Sequence, residues 1–155
     1  MHTFSLKFIL GNWQKINTEP VCFGARDNQY GSFIATKSGY LKTMKLVHKS
    51  GSLKCTQNGP ASYWGCTATT FEDNALTTFI TNAKKEAVLP PAVTKYYHLD
   101  ETTNTSPELV FRDLPNKVSV SRSQELQIWY EQDWSDHTED NNSGTVCVDV
   151  HAWYV

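Results

Sequence analysis

The stretch Thr145-Val-Cys-Val-Asp-Val-His-Ala-Trp-Tyr154 decides the fold. Val146, Val148, Val150, Ala152 and Tyr154 alternate with Cys147, Asp149, His151, Trp153 and Val155. Successive side chains of an extended chain point to opposite faces, so this period of two predicts a β-strand with one apolar face toward a core. The other face carries a Cys, an Asp and a His and is expected to be half covered by another segment. Glu125–Tyr130 repeats the pattern, with Leu126, Ile128 and Tyr130 inward and Gln127, Trp129 and Glu131 outward.

Outward from these two segments the chain reads as β almost throughout. Strands are predicted at Phe4–Leu10, Val21–Phe23, Ser32–Thr36, Leu41–His48, Leu76–Thr81, Val93–His98 and Leu109–Arg112, all rich in β-branched and aromatic residues. Turn signals separate them at Lys37-Ser-Gly39, Lys49-Ser-Gly51, Asn58-Gly-Pro60, Pro90-Pro91 and Asn142-Ser-Gly144. Only Glu72–Ala87 could hold a helical turn or two, and Thr77, Thr78 and Thr81 argue against it. Short strands with turns at this spacing predict an all-β fold, an antiparallel β-sandwich or jelly roll. The 155 residues are one domain's worth, so a single domain over residues 1–155 is expected.

The net charge of −2 excludes a generally basic nucleic-acid binder. No apolar run approaches the ~18–20 residues of a membrane helix, so no membrane insertion is expected. The total hides an asymmetry. Residues 1–99 hold eleven Lys and Arg against five acids, whereas residues 100–155 hold three against eleven. Two complementary halves of one domain, or an acidic cation or partner site in the last third, would both produce it.

Four Cys, at 22, 55, 66 and 147, allow three pairings. No spacing among them fits a zinc finger. The preferred pairing is Cys55–Cys66, closing a loop that contains Asn58-Gly-Pro60, with Cys22–Cys147, tying the start of the domain to its last strand. Four free thiols in a reducing compartment are the competing reading. The sequons Asn104-Thr-Ser106 and Asn141-Asn-Ser143 fit a secreted chain, although Pro107 makes the first a poor acceptor. Residues 1–10 lack the h-region and cleavage site of a leader, so a mature form with a start Met is expected.

The densest polar segment runs from Glu131 to Gly144 and holds five acids. Its carboxylates Asp133, Asp136, Glu139 and Asp140 are the hard oxygen donors that calcium requires, which makes calcium the candidate cofactor. An EF-hand does not fit, because from Asp136 the sixth position is Asn141 and the twelfth is Cys147. A solvated acidic loop is the plainer alternative. A second polar turn is Gly24-Ala-Arg-Asp-Asn-Gln-Tyr-Gly31. If Cys22 faces Cys147 in antiparallel strands, Asp27 five residues after one and Asn142 five before the other lie about 16 Å along the same direction. The Asp27-Asn28 and Asp140-Asn141 turns would then meet at one end of the sandwich. Tyr30, Trp129 and Trp134 border that end, and rigid rings beside amide and acid groups suit sugar or protein recognition. Asp27, Asn28, Tyr30, Trp129, Trp134 and Asn141 are therefore the candidate ligand-binding residues.

Signatures of hydrolases, metalloproteases, dinucleotide enzymes and P-loop proteins are missing, so no catalytic residues are expected. His137-Thr-Glu139 is a literal H-x-E without the deaminase P-C-x-x-C. His151 and Asp149 share a strand face at spacing i, i+2, which carries little weight.

Val21–Phe33, Leu46–Gly51, Ser62–Cys66, Glu125–Tyr130 and Asp140–Val150 together resemble a secreted β-rich domain of cnidarians, associated with the skeletal organic matrix of corals. The size is also similar to that of the soft-coral antiviral proteins called cnidarins. The likeness spans about residue 20 to 155. It implies an extracellular protein that engages a viral envelope glycoprotein and blocks infection, and it brings no catalytic residues. The leading expectation is thus a secreted, non-enzymatic protein binding a glycan or glycoprotein. The alternative is a structural matrix module that binds calcium or mineral.

Overall fold

The computed structural model describes residues 12–66, 74–92, 95–135 and 139–155. The predicted strand Phe4–Leu10 lies outside them. The described chain forms β1 (Trp13–Lys15), β2 (Val21–Gly24), β3 (Gly31–Ile34), β4 (Gly39–Lys54), β5 (Thr78–Asn82), β6 (Ala87–Leu89), β7 (Glu108–Val110), β8 (Val118–Val120), β9 (Glu125–Tyr130) and β10 (Ser143–Tyr154). A five-residue helix α1 (Glu131–Ser135) and a 3-10 turn (Glu139–Asn141) separate β9 from β10. The strands make two antiparallel sheets. In the first, β10 and β4 lie at the centre, β1 and β2 follow each other along the free edge of β10, and β7 and β8 along that of β4. The second sheet has the order β3-β9-β5-β6. The all-β sandwich expectation holds.

The alternation in β10 is what the core uses. Val146, Val148, Val150 and Ala152 are fully buried and join Met44, Leu46, Phe33, Leu126, Ile128 and Tyr130 in one core cluster drawn from both sheets. The opposite face of β10 is half covered, as its composition suggested. There Asn17 donates to Asp149 Oδ1 (2.9 Å) and accepts from the Val150 amide (2.7 Å), while Lys15 and Lys49 flank the same carboxylate.

Several expectations are corrected. Leu41–His48 is only part of β4, because Lys49-Ser-Gly51 does not turn the chain. Ser50 pairs with Cys147 and His48 with Val148, so Lys49 is an extra residue in a β-bulge and the strand runs on to Lys54. Gly51 supplies a φ of +81° there, and a Cβ on it would lie 2.0 Å from the Thr145 carbonyl oxygen. Gly144 is likewise inside β10, at φ +97°. Glu72–Ala87 gives no helix in its described part. Instead β5 and β6 form a hairpin, its turn held by Asn82 Oδ1 accepting from the Lys84 and Glu86 amides. Of Val93–His98, only Tyr97 pairs, in an isolated bridge to Leu76, and residues 93 and 94 lie outside the described segments. Trp13–Lys15, Ala87–Leu89 and Val118–Val120 are three-residue strands too short to show a period. Finally, Gln127 and Trp129 are buried, so β9 is covered on both faces.

Both preferred disulfides form, Cys22–Cys147 and Cys55–Cys66. Asn104 is buried, with its carbonyl accepting from the Tyr63 and Trp64 amides, whereas Asn141 is exposed. No helix among the described residues is long and apolar enough to cross a membrane.

Two predictions follow from this framework. Gly51→Ala forces a side chain into the left-handed region against backbone and should cost about 2–4 kcal/mol, read by urea denaturation. Gly39→Ala, whose Cβ meets only the Tyr154 ring at 3.2 Å, should cost less than about 1 kcal/mol. The second concerns acid. The Asn17 amide holds the Asp149 carboxyl below the usual carboxylate range against the opposing effect of burial, with Lys15 and Lys49 assisting. Burial, with Lys45 beside it, pushes His151 down. Both groups bind protons more weakly folded than unfolded, so each contributes stability that is present above its unfolded pKa and lost as pH falls through the folded one. The melting temperature should decline below pH 6.5 as His151 is charged, and again below pH 3.8 as Asp149 is protonated. His151→Gln should flatten the first decline and Asp149→Asn the second.

Candidate functional site

The site is assembled by the Cys22–Cys147 bridge. The two Cys are directly opposed in the β2–β10 pair, so the chain leaving β2 and the chain entering β10 lie at the same end. Residues 25–30 and 139–142 meet there. Arg26 Nη1 donates to the Asp140 carbonyl (2.9 Å), and Asn142 Nδ2 donates to the Ala25 carbonyl (3.0 Å). The meeting of turns expected from the Cys spacing is what the fold shows.

Local chemistry shapes the first turn. Asp27 and Asn28 both take left-handed backbone angles (φ 64° and 58°), which Asp and Asn tolerate better than most residues. The Gly24 amide donates to the Gln29 carbonyl (2.7 Å) and closes the loop. Asp133 supports it from below. Fully buried in α1, it accepts from the Asn28 amide (2.7 Å) and the Gln29 amide (2.9 Å), one on each carboxylate oxygen. Charge-assisted bonds of this kind are roughly twice as strong as neutral ones. A buried carboxylate with both oxygens on backbone amides acts as a brace.

Beside the turn lies a row of rings on the outer face of the second sheet. Tyr30, 40% exposed, stacks on Trp129 with centroids 4.8 Å apart and planes inclined by 29°. The Lys85 ammonium lies 4.6 Å from the centre of the same indole. Lys85 also donates to the Trp134 carbonyl (3.2 Å) and its own carbonyl accepts from Trp134 Nε1 (3.1 Å), while Trp134 meets Phe79 edge-on. Trp129 Nε1 donates to Gln127 Oε1 (2.9 Å), and Gln127 Nε2 to Glu125 (2.7 Å). Trp129 therefore lies under Tyr30 and Lys85 rather than at the surface. This double cover is why the outward face of β9 is buried.

An open groove of about 740 Å³ starts at Tyr30. One bank is residues 16–22, and the other carries Ser32, Ile34, Thr36 and Arg122. Tyr30 belongs both to the groove and to the ring platform.

The expected residues fall into three groups. Tyr30, Asp27, Asn28, Asn141 and Asp140 are exposed around this end, and Asp27 pairs with Arg26 (3.5 Å). Asp133 and Trp129 are buried supports, and Trp134 is half-buried against Lys85. Asp136 and the side chain of Glu139 lie outside the described residues. No group of three His, Cys, Asp or Glu is arranged to hold a metal among the described residues. Arg26, Gln29, Lys85 and Asn142 were not anticipated. Arg26 and Gln29 sit inside the polar turn already singled out, whereas Lys85 comes from a distant hairpin.

The class defined here is a disulfide-stapled, two-sheet β-protein with a ring platform and polar turns at one end. Neither a family model nor a curated protein sequence matches the chain. Among solved structures it is similar to AJLec, a lectin from the sea anemone Anthopleura japonica. The two share 33% identity with a TM-score of 0.84, over 92% of this chain and 97% of that one. The chain belongs to the family of this sea-anemone lectin, and the cnidarian resemblance of the sequence is supported to that extent.

The brace gives a direct test. Asp133→Asn keeps the volume but puts an amide nitrogen against a backbone N–H. It should lower stability by about 1–3 kcal/mol and speed hydrogen exchange at the Asn28 and Gln29 amides.

Proposed function

We propose that this chain is a non-enzymatic glycan-binding protein that works outside the cell. The observation that carries the reading is the exposed Tyr30 ring, held flat on Trp129 at the mouth of a hydroxyl-lined groove. Membership of a lectin's family supports it. An aromatic face packs against the C–H face of a pyranose at low entropic cost, because stacking already immobilises the ring. Asp27, Asn28 and Asn141 supply acceptors and donors for sugar hydroxyls from the adjoining turns. Two disulfides suit an oxidising compartment. Glycans on a viral envelope glycoprotein are one natural source of the ligand, which is how the antiviral reading enters.

Calcium is part of the same proposal. Asp27 and Asp140 offer exposed carboxylates at this end, and Asn142 Oδ1 is buried with no hydrogen-bond partner among the described residues. Such oxygens are the donors a calcium ion takes. A cation bound only by the folded chain stabilises it, so millimolar calcium should raise the melting temperature and EDTA reverse the rise. No shift would remove calcium from the proposal. The mineral-binding matrix reading predicts adsorption to calcium carbonate that is lost when Asp136, Glu139 and Asp140 become amides.

A glycan array, run with and without EDTA, tests the main claim. Binding without turnover is expected, and Tyr30→Ala should weaken it about ten-fold, or ~1.4 kcal/mol, with the far-UV spectrum retained although uncovering Trp129 lowers the melting temperature. An array without any ligand, or an unchanged Tyr30→Ala, would sink the proposal.

A further inference from the structure

The outer face of the first sheet, on the far side of the core from the ring platform, gathers cations. Lys15 on β1, Lys42, Lys45 and Lys49 on β4, Arg112 after β7 and Lys117 before β8 lie on or beside it. These are six of the fourteen Lys and Arg in the chain, and among the described residues the acids paired with them there are Asp149, Glu108 and Asp113. Six cations against three acids give this face the opposite sign to the net charge of −2.

The lysines are held by rings. Lys42 lies over Trp153 (4.3 Å), Lys45 over Trp13 (4.9 Å) and Lys117 over Tyr40 (5.9 Å), and the two indoles meet edge-on at 5.3 Å. Cation–π contacts keep an ammonium near the sheet without removing its charge. The ion pairs are long: the exposed Lys42–Asp113 at 3.7 Å, Lys45–Glu108 at 3.4 Å with the lysine largely buried, and Lys15 and Lys49 on the largely buried Asp149 at 3.6 and 3.8 Å. Exposed pairs are weak, so an incoming anion can take the place of the exposed Asp113 and Glu108 carboxylates, while Lys15 and Lys49 keep their outer sides open to solvent. Arg112 forms no ion pair among the described residues.

We propose that this face is a second binding surface, for a linear sulfated polysaccharide. Lys42, Lys45 and Lys49 span eight residues of one strand, a row of roughly 20 Å at the rise of an extended chain. A row of that length suits a repeating polyanion better than a single anion. Nucleic acid fits less well. Lys42 and Lys45 already occupy faces of Trp153 and Trp13 on which a base would stack, and the two disulfides suit an oxidising compartment rather than the cell interior. The surface is independent of Tyr30 and its groove.

The test is retention of the full chain on immobilised heparin at low salt. The chain should bind, elute as salt rises, and be displaced by free heparin but not by its N- and O-desulfated form. Lys42→Gln/Lys45→Gln/Lys49→Gln should lose about ten-fold in affinity as three cationic contacts are removed, while keeping glycan-array binding and its far-UV spectrum. Lys84→Gln/Lys95→Gln/Arg122→Gln, which removes equal charge elsewhere, should elute with the native chain. Flow-through of the native chain, equal loss in both triple variants, displacement by desulfated heparin, or tighter binding to duplex DNA or phosphatidylserine vesicles than to heparin would each overturn the proposal.

Discussion

The pairing of β10 with β4 is the constraint on which the rest depends. Both strands are long, and their register runs from Ser143 opposite Lys54 to Tyr154 opposite Leu41. Strands of this length twist and must be relieved locally, and the bulge at Lys49 with the left-handed Gly51 and Gly144 supplies that relief. With the register set, Val146, Val148, Val150 and Ala152 face inward together, and the second sheet has an apolar surface to pack against. A slip of one residue would turn Asp149 and His151 into the core.

The Cys22–Cys147 bridge carries that register to the neighbouring strand. Because the two Cys oppose each other, the turn after β2 must lie beside the turn before β10. The buried Asp133 then fixes the first turn through two amides, and Arg26 and Asn142 fasten it to the second. Loops that would otherwise be mobile become a shaped surface, which reduces the entropy a ligand must remove on binding. Tyr30 gains the same advantage from the indole beneath it.

The charge asymmetry along the chain also acquires a physical meaning. Four of the eleven cations of residues 1–99 are displayed on the outer face of the first sheet by β1 and β4, while Asp133 and Asp140 of the acid-rich segment lie at the end beside the ring platform. Long-range fields from such an arrangement steer ligands of opposite sign to different faces of one small molecule. A total of −2 is compatible with both.

The amino-acid sequence by itself determined the β class and the inward row of β10, and its Cys positions favoured the observed disulfide pairing and, given that pairing, the meeting of the two polar turns. All of these follow from a period of two and from Cys positions, which are properties of the local chain. Only the tertiary structure decided the rest. Whether Gly51 turned the chain depended on a partner strand twelve residues long, which no local signal records. Trp129 pointed to the expected face but was buried, because Tyr30 and Lys85 reach it from separate segments. Asp133 looked like a metal ligand in a run of acids and was placed under the amides of a turn over a hundred residues away. In each case, composition specified what a side chain could do, and the packing of distant segments selected which of those roles it takes.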